Sequence, residues 1–324
     1  MRALLCEHHG PAEALVIRDI PEPQPGPGEI VIAVKAAALN FFDTLIIENR
    51  YQTKPALPFS PSAECAGTVA AIGEGVAGWQ IGERVAAWLG YGAAREKVVV
   101  TAQAAVKVPD ALDDAQAAGL FVTYGTAMHG LIQRASLKSG ETLAILGAAG
   151  GAGLAAVEIG ALLGARVIAC ASSADKLALA REHGAQEEID YARDDIRAEL
   201  KKLTEGRGVD VLYDTVGGEL AEPALRSMAW EGRYLVVGFA GGEIPKIPLN
   251  LLLLKGCDLR GVFWGQFVAR DPAGHRRNME RLLDWAAGGH IRAHVHATIP
   301  LERWTEAYAL IADRKAKGKI VLTL

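Results

Sequence analysis

The chain has 324 residues, half of them hydrophobic, and a formal net charge of −4. That length accommodates two domains with sizeable cores, and the lack of any basic surplus or basic–aromatic cluster argues against a nucleic-acid-binding surface. Its four cysteines, Cys6, Cys65, Cys170 and Cys257, are scattered with no C-x-x-C pair, which excludes the local spacing of a four-cysteine zinc site and fits free thiols in a cytoplasmic setting.

The opening MRALLCEHHG has no long apolar core of the kind a secretory signal needs and reads directly as a strand start. Pro21–Gly28 (PEPQPGPG) is a turn feeding Glu29–Ala36, which alternates enough to be a half-exposed strand. Gly67–Val85 reads strand, glycine turn, strand, and closes on Gly82-Glu83-Arg84-Val85. Short strands on such an irregular path, to roughly Leu120, predict a partly open β-barrel.

From about Phe121 the pattern alternates between helix and strand. Strands are expected at Thr142–Leu146, Arg166–Ala171, Glu188–Tyr191, Val209–Asp214, Tyr234–Val237 and Leu259–Phe263, with helices such as Leu154–Leu163 and Ala174–Glu182 between them. The alternation predicts a doubly wound parallel sheet with right-handed crossovers, hence an α/β fold. After Arg270 a helix, a strand near Ala293–Thr298, the Glu302–Ala312 helix and a final strand Lys319–Leu324 resume the style of the first part. The expected division is therefore 1–120 with 265–324, interrupted by a nucleotide-binding domain at 121–264.

The densest chemical signal lies in Thr142–Lys176, which begins TLAILGAAGGAG and ends RVIACASSADK. A strand that enters glycines opening a helix lets backbone N–H groups approach a pyrophosphate, with the helix dipole adding to the attraction. Ala148 stands where the first glycine of G-x-G-x-x-G would, so the run is Ala148-Ala149-Gly150-Gly151-Ala152-Gly153, and an ordinary core turn is the plain alternative. An NAD site would carry Asp or Glu after the second strand, about twenty residues on. Here Ala171-Ser172-Ser173 is followed by Lys176, and hydroxyls with an ammonium suit the 2′-phosphate of NADPH. The apolar stretch Ala144–Ala165 is interrupted by Glu158 and glycines and reads as a buried helix, not a membrane span.

Together these motifs resemble the zinc-independent quinone oxidoreductase branch of the medium-chain dehydrogenase/reductases, the zeta-crystallin-like enzymes. The resemblance runs through the PEPQPGPGE turn, Asn40-Phe41-Phe42-Asp43, Gly82-Glu83-Arg84-Val85, Val122-Thr123-Tyr124-Gly125-Thr126-Ala127, the glycine loop, Asp214-Thr215-Val216-Gly217-Gly218 and Gly318-Lys319-Ile320-Val321-Leu322. It implies a GroES-like β-barrel catalytic domain plus a Rossmann domain, NADPH in the cleft between them, and a homodimer formed by edge pairing of the last Rossmann strand, placed at Leu259–Phe263.

Zinc-dependent relatives carry Gly-His-Glu near the start, whereas Pro61-Ser62-Ala63-Glu64-Cys65-Ala66-Gly67 has no histidine. Ser62 also replaces the glycine of the usual Pro-Gly-x-Glu. His294 and His296, on one side of a strand with His290 nearby, are the rival metal site; without a cysteine or carboxylate at ligand spacing they read as surface or packing residues, and no metal is expected. The family match implies Asn40, Asp43 and Thr123 near the nicotinamide, with Ala149, Gly150, Gly151, Ala152 and Gly153 at the pyrophosphate. Ser172, Ser173, Lys176 and Tyr191 would surround the 2′-phosphate. Val216, Phe239 and Phe263 would lie along the cofactor, with Lys319 also approaching it. Tyr51 is the candidate proton donor or substrate contact, while Leu45 stands where many relatives carry a tyrosine. The activity expected is NADPH-dependent reduction of a small quinone. Reduction of enones or enoyl thioesters, and a non-catalytic NADPH-binding role, stay open because a fold does not fix the acceptor.

Overall fold

The computed structural model covers residues 1–324 and divides into two units. The first comprises Met1–Val122, Phe267–Gly289 and Ala293–Leu324; the second comprises Thr123–Gln266 and His290–Arg292. The first unit opens with β1 (Arg2–Leu5), β2 (Val16–Asp19), β3 (Glu29–Leu39) and α1 (Phe41–Ile47). It continues with β4 (Glu64–Ile72), β5 (Arg84–Trp88), β6 (Lys97–Thr101), β7 (Ala105–Lys107) and the start of α2 (Asp114–Met128), whose residues from Thr123 onward belong to the second unit. Next come β8 (Thr142–Leu146), α3 (Gly151–Leu162), β9 (Arg166–Ala171), α4 (Ala174–Glu182), β10 (Glu187–Asp190), α5 (Ile196–Leu203) and β11 (Val209–Asp214). After these come α6 (Ala221–Leu225), β12 (Met228–Val236), α7 (Asn250–Lys255), β13 (Asp258–Gly261) and α8 (Trp264–Arg270). The chain ends with α9 (Pro272–Ala287), β14 (Val295–Pro300), α10 (Trp304–Ala312) and β15 (Lys319–Thr323).

In the first unit β14, β15, β3, β4, β5 and β7 form one continuous sheet, with β6 on the flank of β3. The 11-residue β3 is its spine and pairs antiparallel with β15, β4 and β6. Register shifts along β3–β4 let so long a strand curve. Inward residues Ile30, Ile32, Val69, Val85, Ile299 and Leu322 meet Tyr308 of α10 in the core. Ile320 lies opposite Leu39, so the start of β15, at Lys319, falls beside the end of β3.

The second unit is a six-stranded sheet in the order β10-β9-β8-β11-β12-β13, parallel throughout. Strands buried on both faces are apolar along their whole length, as TLAIL in β8 is. The order reverses between β8 and β11, the switch point at whose carboxyl ends nucleotides bind in such sheets. Three boundaries differ from the sequence reading. β12 begins at Met228, six residues before Tyr234, because a register shift between Val209 and Val211 keeps it paired with β11 past Gly232. β13 ends at Gly261, leaving Phe263 outside the strand, half-exposed. β10 ends at Asp190, and Tyr191 comes next with its N–H donating to Ala171 O at 3.1 Å. No helix is long and apolar enough to cross a membrane.

Candidate functional site

In the second unit the loops after β8, β9, β11 and β12 carry most of the expected cofactor residues. Gly147 leaves β8 at φ +77°, and its N–H donates to Cys170 O at 3.0 Å. The chain then turns so tightly that a Cβ on Gly153 would stand 2.1 Å from Gly147 O. Only glycine fits there. Gly150 is the N-cap residue of α3 with ordinary extended angles, so the free N–H groups of the first helical turn lie at Gly151, Ala152 and Gly153. Their positive dipole end suits a pyrophosphate.

The loop after β11 is pinned against this turn. Thr215 Oγ1 donates to Leu146 O at 2.8 Å, and a Cβ on Gly147 would meet Thr215 Oγ1 at 2.5 Å and Val216 Cγ2 at 3.0 Å. Asp214 shapes the loop: its Oδ1 accepts the N–H groups of Val216 (2.8 Å) and Gly217 (2.9 Å), and its Oδ2 accepts the Tyr234 hydroxyl (2.6 Å). Burial pushes the Asp214 carboxyl above its ordinary value, against the pull of those bonds. A Cβ on Gly217 would meet Phe239 Cδ1 at 2.8 Å, so Val216 and Phe239 belong to one cluster. Beyond β9, Lys176 Nζ donates to Ser172 Oγ at 3.2 Å, and Ser173, half-buried, donates its hydroxyl to Asp175. Asp175 is a carboxylate that the reading of Ser-Ser-x-x-Lys left out. It sits in the first turn of α4, where the helix dipole favours an acid.

Thr123, at the start of the second unit, is buried in α2. Its neighbour Tyr124 donates to Glu158 Oε2 at 2.6 Å, and Glu158 Oε1 contacts His183 Nδ1 at 2.6 Å. Glu158 also accepts the Arg292 N–H, which ties 290–292 into this unit. The buried helix residue that argued against a membrane span is thus a polar hub. Trp264 is buried with its indole 2.8 Å from where a Gly125 Cβ would be, a core role, whereas Phe263 is 49 % exposed.

In the first unit Asn40, Asp43 and Lys319 come together with two residues that the sequence reading set aside, Ser62 and Glu64. All five are buried. Asp43 Oδ2 accepts the Asn40 N–H (2.7 Å), closing half of a capping box over α1, and Oδ1 accepts the Ser62 N–H (3.1 Å). Burial pushes the Asp43 carboxyl up to about 7, opposed by those N–H groups and the Lys319 charge and reinforced by Glu64. Lys319 is held inside this network. Its Nζ donates to Glu64 Oε1 (2.6 Å), Asn40 Oδ1 (2.7 Å) and Leu39 O (3.0 Å). These bonds use all three donors of the ammonium. Tyr51 lies outside this network, half-buried and stacked on Phe42 with ring centroids 5.4 Å apart.

No group of three or more His, Cys, Asp or Glu side chains is arranged to hold a metal ion. Glu64 is committed instead to Lys319, Asn40 Nδ2 (2.9 Å) and the Val122 N–H (2.7 Å).

Two family models match the chain: an alcohol dehydrogenase GroES-like domain over residues 26–110 and a zinc-binding dehydrogenase over residues 151–287. A quinone oxidoreductase-like protein 2 homolog from Nematostella vectensis is 38 % identical over 99 % of this chain and 88 % of its own length. Among solved structures, the quinone oxidoreductase of Escherichia coli complexed with NADPH superposes with a TM-score of 0.93, at 28 % identity and full coverage of both chains. The CurK enoyl reductase superposes with a TM-score of 0.90, at 26 % identity over 99 % of this chain and 98 % of its own. With a GroES-like unit, a switch-point glycine turn and end-to-end similarity of this order, the chain belongs to the zeta-crystallin-like quinone oxidoreductase branch of the medium-chain dehydrogenase/reductases.

Proposed function

We propose that this oxidoreductase passes a hydride from NADPH to a quinone, with no metal taking part. The observation that carries the reading is the loop cluster at the carboxyl edge of the six-stranded sheet. There a glycine turn too tight for any side chain at Gly153 opens α3, and the next strand delivers Ser172 and Lys176 in contact. The first feature suits a pyrophosphate and the second a ribose 2′-phosphate. The NADPH carried by the similar Escherichia coli quinone oxidoreductase supports the same cofactor. The commitment of Glu64 to Lys319 and Asn40 supports the metal-free half.

NADPH, when bound, supplies the hydride. In this reading Ala149, Gly150, Gly151, Ala152 and Gly153 hold the pyrophosphate, and Ser172, Ser173, Lys176 and Tyr191 hold the 2′-phosphate. Val216, Phe239 and Phe263 flank the nicotinamide, while Asn40, Asp43 and Thr123 orient it and the acceptor. Hydride addition to one quinone carbonyl system leaves a phenolate oxygen that needs one proton. Tyr51 keeps its proton at neutral pH, because burial first and the Asp43 charge second push its phenol above the ordinary value. It can donate that proton, and water can do the same. Self-association along β13, the last strand of the sheet, with Leu259 and Phe263 exposed beside it, belongs to the same reading. Sedimentation should give twice the chain mass, and Leu259→Asp should give the monomer.

The test is initial-rate NADPH oxidation with an ortho-quinone, a para-quinone, an unsaturated ketone and an enoyl thioester, each repeated with NADH. Turnover of quinones with NADPH and little with NADH is expected. Turnover confined to the enone or thioester transfers the function to carbon–carbon double-bond reduction, which the likeness to the CurK enoyl reductase favours as the second reading. Tight NADPH binding with no turnover would point to a non-catalytic role.

A further inference from the structure

Glu64 and Lys319 are charges with no access to water: their side chains are 0 % and 3 % exposed. A buried ion pair adds little net stability, since desolvating both ions offsets much of their attraction. What this pair does have is direction. Lys319 sends its three N–H bonds to Glu64 Oε1, Asn40 Oδ1 and Leu39 O, while Glu64 Oε1 accepts a second bond from Asn40 Nδ2. The amide of Asn40 is therefore held at both ends, its acceptor on a cation and its donor on an anion. Turning it by half a revolution would set its NH2 against the ammonium and its oxygen against the carboxylate. The Asn40 side chain also accepts the Asp43 N–H in the capping box of α1, and one N–H of the amide stays available.

We propose that Glu64 and Lys319 are positioning residues that lock the side-chain amide of Asn40 in one orientation, fixing the direction in which it meets a bound molecule. This rests on the reading of Asn40 as part of the reaction site. It takes Lys319 away from the cofactor and gives Glu64, at the position where zinc-dependent relatives carry a motif glutamate, a purpose that needs no metal. Through Oε2 the same carboxylate also holds the Val122 N–H, one residue before Thr123 in the chain.

The experiment compares Lys319→Met, the double variant Glu64→Gln/Lys319→Met, and Asn40→Ala, using the full-length protein. Three quantities are read: the Asn40 side-chain amide resonances, the NADPH Kd by direct titration, and kcat with the best quinone. The double variant removes both charges and so keeps the test usable if Lys319→Met alone folds poorly. In the wild type the two Asn40 Nδ2 protons should be resolved and protected from exchange. In the double variant they should lose protection, kcat should fall ~10- to 100-fold, as for a misplaced orienting group, and NADPH Kd should move by less than about two-fold. Adding Asn40→Ala to the double variant should cost little more, because the three residues act as one unit. Unchanged Asn40 resonances in the double variant overturn the lock, as does a loss of NADPH affinity as large as that of Lys176→Ala. A lost lock with kcat unchanged in both the double variant and Asn40→Ala overturns the positioning role through the site reading: the clamp is real, but Asn40 lies outside the chemistry.

Discussion

The Ser62 N–H donates to Asp43 Oδ1 across 3.1 Å from a residue whose φ is +65°. That left-handed geometry costs a side-chain-bearing residue roughly 1–2 kcal/mol and is one that glycine adopts freely. The serine offsets the strain by donating its hydroxyl to Ala38 O at 2.9 Å. Ser62→Ala loses that bond and keeps the strain, whereas Ser62→Gly loses the bond and relieves it. Glycine should therefore be the milder change by ~1 kcal/mol, after allowing for its greater freedom in the unfolded chain. Urea unfolding of the two variants measures the difference, and a larger loss for Ser62→Gly than for Ser62→Ala would mean that the turn carries no strain.

The same contact makes Asp43 a source of pH dependence. Its carboxyl is pushed from 3.8 up to about 7, chiefly by burial. Between those values the native chain holds a proton that the unfolded chain has released, so this group's contribution to stability falls as pH rises. The loss should be on the order of 1 kcal/mol per pH unit through the window and level off above about 7. Asp43→Asn, which cannot titrate, should lack this component whatever its absolute stability. Unfolding free energies at pH 5, 6, 7 and 8 for both proteins isolate it. A difference between the wild type and Asp43→Asn that stays flat across that range would show that the folded carboxyl is ionised throughout.

Two glycines of the turn after β8 should separate folding from binding. A Cβ on Gly153 would stand 2.1 Å from Gly147 O and 2.7 Å from its carbonyl carbon, and both are backbone atoms that cannot swing aside. A Cβ on Gly150 meets nothing closer than that oxygen at 3.5 Å, and Gly150 has a φ of −73°. Gly153→Ala should cost ~1–3 kcal/mol of stability, as overpacking does. Gly150→Ala should leave the thermal midpoint unchanged and weaken NADPH binding about ten-fold, because its methyl would stand where a pyrophosphate approaches. Thermal melts with and without NADPH distinguish the two effects.

These contrasts also mark what the sequence made legible. The parallel strands and the glycine turn are local signals: apolar runs such as RVIACA and a turn completed within seven residues need no distant partner. β12 was read short because Trp230, Glu231 and Gly232 interrupt its apolar run, and only pairing with β11 carries it through. The Asn40–Glu64–Lys319 cluster was illegible for a different reason. Lys319 is 255 residues from Glu64 and 279 from Asn40, and the β15–β3 register, not any motif, sets them side by side. An isolated lysine near the chain end carries no sign of these partners. Asp175 is illegible as a site residue because its bond from the Ser173 hydroxyl depends on how the turn into α4 folds.

Lys176 and Asp175 give the last prediction, on cofactor choice. Lys176 Nζ lies 3.2 Å from Ser172 Oγ, so a 2′-phosphate bound at Ser172 would meet the ammonium. Lys176→Ala should weaken NADPH binding by roughly 1.5–3 kcal/mol, the range for a hydrogen bond to a charged group, and leave NADH almost unaffected. Asp175 works in the opposite sense. Its carboxylate accepts the Ser173 hydroxyl proton, so that hydroxyl cannot also donate to a phosphate, and its charge repels the dianion. Asp175→Ala should therefore raise the NADPH-to-NADH preference several-fold, tempered by loss of an acid favourable to the start of α4. Direct titration of both cofactors on both variants decides the matter. Equal losses for NADPH and NADH in Lys176→Ala would mean that the lysine does not read the 2′-phosphate, and a fall in preference in Asp175→Ala would mean that Ser173 is oriented by the aspartate for binding.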